Sequence, residues 1–177
     1  RVAVLGAGSW GTTIAALLAP AVPTTLWARR GGLADDLNSG RGNARYLPGF
    51  ELPTALRATD NLSEAVSEAD FVLVAVPTVG FRSVLEAASS ILGIGVPVVS
   101  LAKGFERGSC LRMTQVIAEV LPRSPIGVLT GPNLAKEVLE GRSSAAVAAS
   151  ADPNVSQLLQ DLLGSDQFRI YTNSDLV

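Results

Sequence analysis

The stretch Val4-Leu5-Gly6-Ala7-Gly8-Ser9-Trp10-Gly11 decides how this chain reads. An apolar run from Val2 to Leu5 passes directly into a G-x-G-x-x-G turn, and the turn opens into the helix-forming run Thr12 to Ala19. In a strand–turn–helix that binds a dinucleotide, each glycine has its own task. Gly6 permits the tight turn, Gly8 lets the backbone approach a pyrophosphate, and Gly11 lets the helix sit close to its strand. Freed amides and the positive end of the helix dipole then face the phosphates. Glycine-rich strand–helix turns also arise for packing alone, so the motif by itself does not separate a cofactor site from a packing device.

Bulk properties narrow the choice. With 177 residues the chain suits one well-buried domain and is short for two. Hydrophobic residues make up 47% and charged residues 17%, which describes a globular protein; with only 5% aromatic, the core must rest on Val, Leu, Ile and Ala. The formal charge of -2, from 14 basic and 16 acidic residues, supplies no cationic field for nucleic acid or an anionic membrane. Any anion must be held locally. Cys110 has no partner for an internal disulfide, and no Cys/His cluster exists to hold a structural metal, which suits a reducing, cytoplasmic setting. No apolar run reaches the about 18 residues of a membrane helix, and no signal-type n-region precedes the first strand, so the chain reads as soluble and untargeted. It contains no histidine. A Ser-His-Asp triad or a histidine-assisted hydride transfer is therefore excluded within these residues, and lysine or a carboxylate must do such work.

Short β-branched runs alternate with helical stretches, the pattern of an α/β fold with a doubly wound, mostly parallel sheet covered on both faces. Strands are predicted at Val2 to Leu5, Thr24 to Ala28, Arg57 to Thr59, Phe71 to Val76, Pro97 to Leu101, Ile126 to Leu129, Ala145 to Ala149 and Arg169 to Tyr171. Phe71 to Val76 has no polar member and is expected at the centre. Helices are predicted at Trp10 to Ala19, Asn61 to Glu68, Val79 to Leu92, Cys110 to Leu121, Asn133 to Glu140 and Pro153 to Leu163, the last started by Asp152 as N-cap. Gly31 to Thr54 is the least regular part, a long loop with a short helix near Leu33 to Leu37, and such loops are usually functional or mobile. The abrupt end at Asp175-Leu176-Val177 suggests a piece of something longer.

Four strand ends carry candidate chemistry. After the second strand, where an NAD-binding fold usually offers Asp or Glu to the ribose, the chain has Trp27-Ala28-Arg29-Arg30. Planar, permanently charged guanidinium groups suit a 2′-phosphate, which favours NADP(H) while leaving NAD(H) possible. The alternative is a solvated Arg pair. Ala75-Val76-Pro77-Thr78 ends the central strand, where the crevice of an open parallel sheet lies; Val76 and Pro77 either border the nicotinamide end or only stop the strand. Lys103 ends an apolar strand, where a phosphate or carbonyl partner is expected unless the lysine is simply at the surface. Thr130-Gly131-Pro132-Asn133 either cradles an anion or hydroxyl at a helix start or forms an ordinary turn.

Together these motifs resemble the N-terminal domain of the bacterial NAD(P)-dependent glycerol-3-phosphate dehydrogenases. The matching segments are GAGSWGT at Gly6 to Thr12, LWARR at Leu26 to Arg30, NARYLPG at Asn43 to Gly49, AVPT at Ala75 to Thr78, SLAKGFE at Ser100 to Glu106, MTQVIAEVLP at Met113 to Pro122, TGPNLAKE at Thr130 to Glu137 and FRIYTNSDLV at Phe168 to Val177. The resemblance implies a Rossmann-type domain spanning residues 1–177, with reduction of dihydroxyacetone phosphate to sn-glycerol 3-phosphate for phospholipid synthesis in the cytoplasm. It implies that Ser9, Trp10, Arg29, Arg30 and Ala135 contact the cofactor beside the glycines, that Lys103 touches cofactor and substrate, and that Gly131 and Asn133 help hold the substrate. Tyr46 would border the cleft. The family's proton-donating lysine belongs to a helical C-terminal domain beyond Val177, so no catalytic acid is assigned here and these residues alone are expected to bind but not turn over. A homodimer is implied for the full-length protein. Two other readings stay open: a related two-domain NADP-dependent hydroxyacid or ketopantoate-type dehydrogenase, and a non-catalytic NADP(H)-sensing module.

Overall fold

The computed structural model describes residues 1–177 as one eight-stranded sheet with helices on both faces. The elements are β1 (Val2–Leu5), α1 (Ser9–Leu18), β2 (Thr24–Trp27), α2 (Gly31–Asn38), β3 (Arg57–Thr59), α3 (Leu62–Val66), β4 (Phe71–Val74), α4 (Thr78–Ser89), β5 (Val98–Ser100), α5 (Met113–Val120), β6 (Ile126–Thr130), α6 (Ala135–Leu139), β7 (Ser144–Ser150), α7 (Pro153–Leu163) and β8 (Phe168–Asn173). They lie in the order β3-β2-β1-β4-β5-β6-β7-β8, with all neighbours parallel except β6 and β7. Successive connections run outward from β1 in one direction and from β4 in the other. The carboxyl ends of β1 and β4 therefore flank the switch point where such sheets hold ligands.

Alternation along the central strands explains the two layers. Val2 and Val4 of β1, with Phe71 and Leu73 of β4, pack into one buried cluster beside Ile14 of α1 and Leu159 of α7. Ala3, Leu5, Val72 and Val74 face the other cluster, filled by Phe81 and Leu85 of α4 and Val116 and Ile117 of α5. A strand with side chains of period two, all apolar, must be covered twice.

Helix starts follow local chemistry. The Asp152 carboxylate accepts from the Asn154 amide at 2.9 Å, with Pro153 in the first turn, and Asn61 caps α3 from its side chain. Helix α6 has only five residues, and the chain returns from β6 to β7 antiparallel. No helix is long and apolar enough to cross a membrane.

Candidate functional site

The glycine turn between β1 and α1 is built from three glycines under three different constraints. Gly6 adopts φ +113°, a region that side chains avoid, and a Cβ there would meet the Ala75 backbone at 2.9 Å. A Cβ on Gly11 would penetrate the Gly6 carbonyl oxygen and stand 2.9 Å from the Ala75 Cβ. Gly8 differs: its φ of -74° and ψ of -177° suit any residue, and a Cβ there would meet nothing within 4 Å. Packing thus accounts for Gly6 and Gly11 and leaves Gly8 without a packing reason. Gly8 is also the N-cap of α1 and offers no side-chain cap. The amides of Gly8, Ser9, Trp10 and Gly11 donate to no group in the protein, so the turn presents several free donors at the positive end of a ten-residue helix.

A cleft of about 300 Å³ opens beside this turn, lined by Ser9, Trp10, Leu101, Lys103, Thr130, Gly131, Asn133, Leu134 and Ala135 among others. Six residues singled out from sequence, Ser9, Trp10, Lys103, Gly131, Asn133 and Ala135, thus meet in one place although they come from three separate strand ends. Trp10 is fixed edge-on to Phe168 with ring centroids 6.3 Å apart. The exposed Lys103 side chain reaches across from the end of β5 and donates to the Gly131 carbonyl at 2.5 Å; it has no carboxylate partner. Asn133 donates to the Ala145 carbonyl at 2.8 Å, so its amide is engaged in shaping the turn. Ala135 begins α6, which starts two residues later than the sequence suggests because Leu134 stays extended at φ -106°, ψ 119°.

The remaining sequence candidates lie outside that lining. Val76 and Pro77 follow β4, with Pro77 at the N-cap of α4, and Ala75 between strand and turn abuts Gly6 and Gly11. Arg29 and Arg30 are exposed at the end of β2, and neither forms an ion pair. Trp27, just before them, is buried and donates to the Asp60 carbonyl at 3.0 Å. Tyr46 is 37% exposed, with the Arg45 guanidinium 5.3 Å over its ring.

One residue of consequence was not picked out from the sequence. Asn43, 1% exposed, donates to the Ala7 carbonyl at 3.1 Å and to the Thr12 hydroxyl at 2.8 Å. It fastens the long loop after α2 directly onto the glycine turn, and Leu47, also 1% exposed, seats the loop in the core. Its sequence signal is its place at the head of the NARYLPG segment, which does not reveal partners 36 and 31 positions away.

Comparison with known proteins decides the family. Residues 1–156 match the model described as NAD-dependent glycerol-3-phosphate dehydrogenase N-terminus. The chain belongs to this family. A glycerol-3-phosphate dehydrogenase [NAD(P)+] of Sphingopyxis alaskensis is 49% identical over 177 residues, covering 100% of this chain and 53% of that protein. One from Mycobacterium avium is 47% identical over 178 residues, covering 100% of this chain and 52% of that protein. This glycerol-3-phosphate dehydrogenase-family chain therefore spans about half the length of the curated relatives it matches. Among solved structures, glycerol-3-phosphate dehydrogenase from Coxiella burnetii superposes with a TM-score of 0.93 at 32% identity, covering 99% of this chain and 54% of that one. A ketopantoate reductase from Ralstonia eutropha superposes with a TM-score of 0.74 at 19% identity, covering 99% of this chain and 57% of that one, and shares the fold alone.

Proposed function

We propose that residues 1–177 are the N-terminal dinucleotide-binding domain of a glycerol-3-phosphate dehydrogenase. Its reaction is reduction of dihydroxyacetone phosphate to sn-glycerol 3-phosphate for phospholipid synthesis, with NADP(H) favoured and NAD(H) accepted. The observation that carries this reading is the meeting of Ser9, Trp10, Lys103, Gly131, Asn133 and Ala135 in one cleft beside an open glycine turn. The residues fit such a cofactor: the space over Gly8 admits a pyrophosphate, and the free amides from Gly8 to Gly11 are its donors. Arg29 and Arg30, cations without carboxylate partners, suit the 2′-phosphate. Val76 and Pro77 border the nicotinamide end, and Tyr46 the rim of the cleft.

When bound, the nicotinamide supplies the hydride. Lys103 offers its ammonium to a phosphate or carbonyl oxygen of the substrate, while Gly131 and Asn133 shape the pocket that orients it. Neither histidine nor a carboxylate lines the cleft to supply a proton. The acid is assigned to a helical substrate domain following residue 177, so residues 1–177 bind cofactor without turnover. The intact protein is proposed to be a cytoplasmic homodimer.

Calorimetric titration of the chain with NADPH and NADH, with turnover of dihydroxyacetone phosphate by the intact protein, tests the proposal. Expected are binding of both nucleotides, tighter for NADPH, and turnover by the intact protein only. Lys103→Ala should raise KM for dihydroxyacetone phosphate about 10–100-fold, the cost of a charge-assisted hydrogen bond. Absence of nucleotide binding, or full activity of residues 1–177 alone, would refute it. A sensing module would bind NADPH and never reduce dihydroxyacetone phosphate.

A further inference from the structure

Lys103 belongs to the segment between β5 and α5, in which Ala102 and Leu111 pack against the buried core and Phe105 bridges Arg112. Upstream, the Leu101 amide donates to the Val74 carbonyl at 2.9 Å and the Ala102 amide to the Ser100 hydroxyl at 3.2 Å. The amides of Lys103, Gly104 and Phe105 then donate to nothing, and Gly104 adopts φ +108°. Fixation resumes at Glu106, whose amide donates to the Leu111 carbonyl at 2.8 Å and whose carbonyl accepts from the Cys110 amide at 3.0 Å, closing a small loop.

The Glu106 carboxylate adds a polar tie between that loop and the body of the protein, beside the packing of Leu111 on the core. It accepts from Arg82 of α4 in a two-pronged pair, Nε to Oε1 at 2.7 Å and Nη2 to Oε2 at 2.9 Å. Ser109 within the loop donates to the same carboxylate at 2.6 Å. Arg82 also reaches Glu119 of α5 at 2.7 Å, so one guanidinium ties α4, α5 and the lysine-bearing segment together. The Glu106 side chain is 16% exposed and that of Arg82 30%. Hydrogen bonds from Arg82 and then from Ser109 hold the Glu106 carboxyl at about 2. Helices α4 and α5 have their own anchors in buried Phe81, Leu85, Val116 and Ile117, so the fold does not depend on the pair.

We propose that the Arg82–Glu106 pair is a positioning device for the substrate-binding lysine, fixing the downstream end of the segment so that the Lys103 ammonium is held at the Gly131 carbonyl edge of the cleft. The inference rests on the substrate role given to Lys103 above. A bidentate guanidinium–carboxylate pair fixes direction as well as distance, and small misplacements of a substrate-orienting group are costly in rate. Glu106 and Arg82 do not line the cleft themselves and act only through Lys103.

The test uses the intact enzyme with Glu106→Gln, Arg82→Lys and the exchanged pair Arg82→Glu with Glu106→Arg, reading KM for dihydroxyacetone phosphate, KM for NADPH and Tm. Each single variant is expected to raise KM for dihydroxyacetone phosphate about tenfold with a smaller rise in KM for NADPH, and the exchanged pair, which sets a carboxylate at position 82 against Glu119, is expected to recover part of the loss. Unchanged KM in both single variants overturns the inference. So does a loss that falls equally on both substrates and follows a drop in Tm. If Glu106→Gln does not fold, Arg82→Lys keeps the charge and decides alone. An unsubstituted enzyme that does not reduce dihydroxyacetone phosphate brings down the proposed function together with this inference, whereas normal turnover with insensitive variants removes the positioning role only.

Discussion

One methyl group added at Gly8 and one added at Gly11 have opposite expected consequences, because packing needs only the second glycine. The Gly8 backbone lies in a region open to any residue, and its Cβ would face open space. Alanine there restricts the unfolded chain, a gain of about 0.4–1 kcal/mol, and caps a helix less well than glycine, a loss of similar size. For a chain of this length 1 kcal/mol moves Tm by about 2–4 °C, so Gly8→Ala should leave Tm within about 2 °C. At Gly11 the same methyl drives into the Gly6 carbonyl oxygen and the Ala75 Cβ, both on elements that cannot retreat. Overpacking of this kind costs about 3 kcal/mol, which lowers Tm by about 6–12 °C. Nucleotide affinity should separate the two again: the alanine at Gly8 occupies the approach of the pyrophosphate and should weaken NADPH at least about tenfold, or 1.4 kcal/mol, in a protein of normal stability. Scanning fluorimetry with calorimetric titration reads both quantities. Undiminished NADPH affinity in Gly8→Ala would refute the reasoning, since the open space over that residue would then have no ligand to serve.

Arg29→Ala and Arg30→Ala should weaken NADPH and spare NADH in the same titration; equal losses for both would contradict a 2′-phosphate role. Asn43→Ala strips the donor from the Ala7 carbonyl and the Thr12 hydroxyl, at about 2 kcal/mol. Its melting curve should fall by about 4–8 °C, with weakened nucleotide binding, and a wild-type melt would show the loop is not fastened through that amide. The Glu106 carboxyl is lowered from 4.5 to about 2 in the folded chain, first by Arg82 and then by Ser109. A depressed folded value means that the pair stabilises fully above about 4.5 and fades as pH falls toward about 2. The Tm difference between the unsubstituted chain and Glu106→Gln should therefore be constant above that window and shrink through it; a difference indifferent to pH would count against the pair.

The elements that local physics controls were legible in the sequence. Val2–Leu5 and Arg57–Thr59 lie where their apolar and β-branched residues put them, and Pro153–Leu163 begins where Asp152 and Pro153 allow. Boundaries shifted where tertiary contacts intervened. The fourth strand stops at Val74 rather than Val76 because Ala75 abuts the glycine turn, and the fifth helix starts at Met113 rather than Cys110 because Cys110 sits at φ +57° in the closed loop behind Glu106. Leu33 to Leu37 proved to be the middle of a helix from Gly31 to Asn38. Residues that meet across the fold were not legible: Asn43 reaches 36 positions back to Ala7, and Arg82 24 positions forward to Glu106. Asn43 stands out only as the head of NARYLPG, and nothing local distinguishes Arg82 from a solvated polar residue. Lys103 was legible because a charge ending an apolar strand is conspicuous, whereas its acceptor on Gly131 is a backbone carbonyl that no side-chain pattern announces.

A structure of the chain with NADPH bound tests the central claim most directly. The expected result has pyrophosphate oxygens within hydrogen-bond distance of amides between Gly8 and Gly11, the 2′-phosphate at Arg29 or Arg30, and the nicotinamide beside Val76, Pro77 and Lys103. A nucleotide seated at the other rim of the sheet, with the glycine turn untouched, would contradict it.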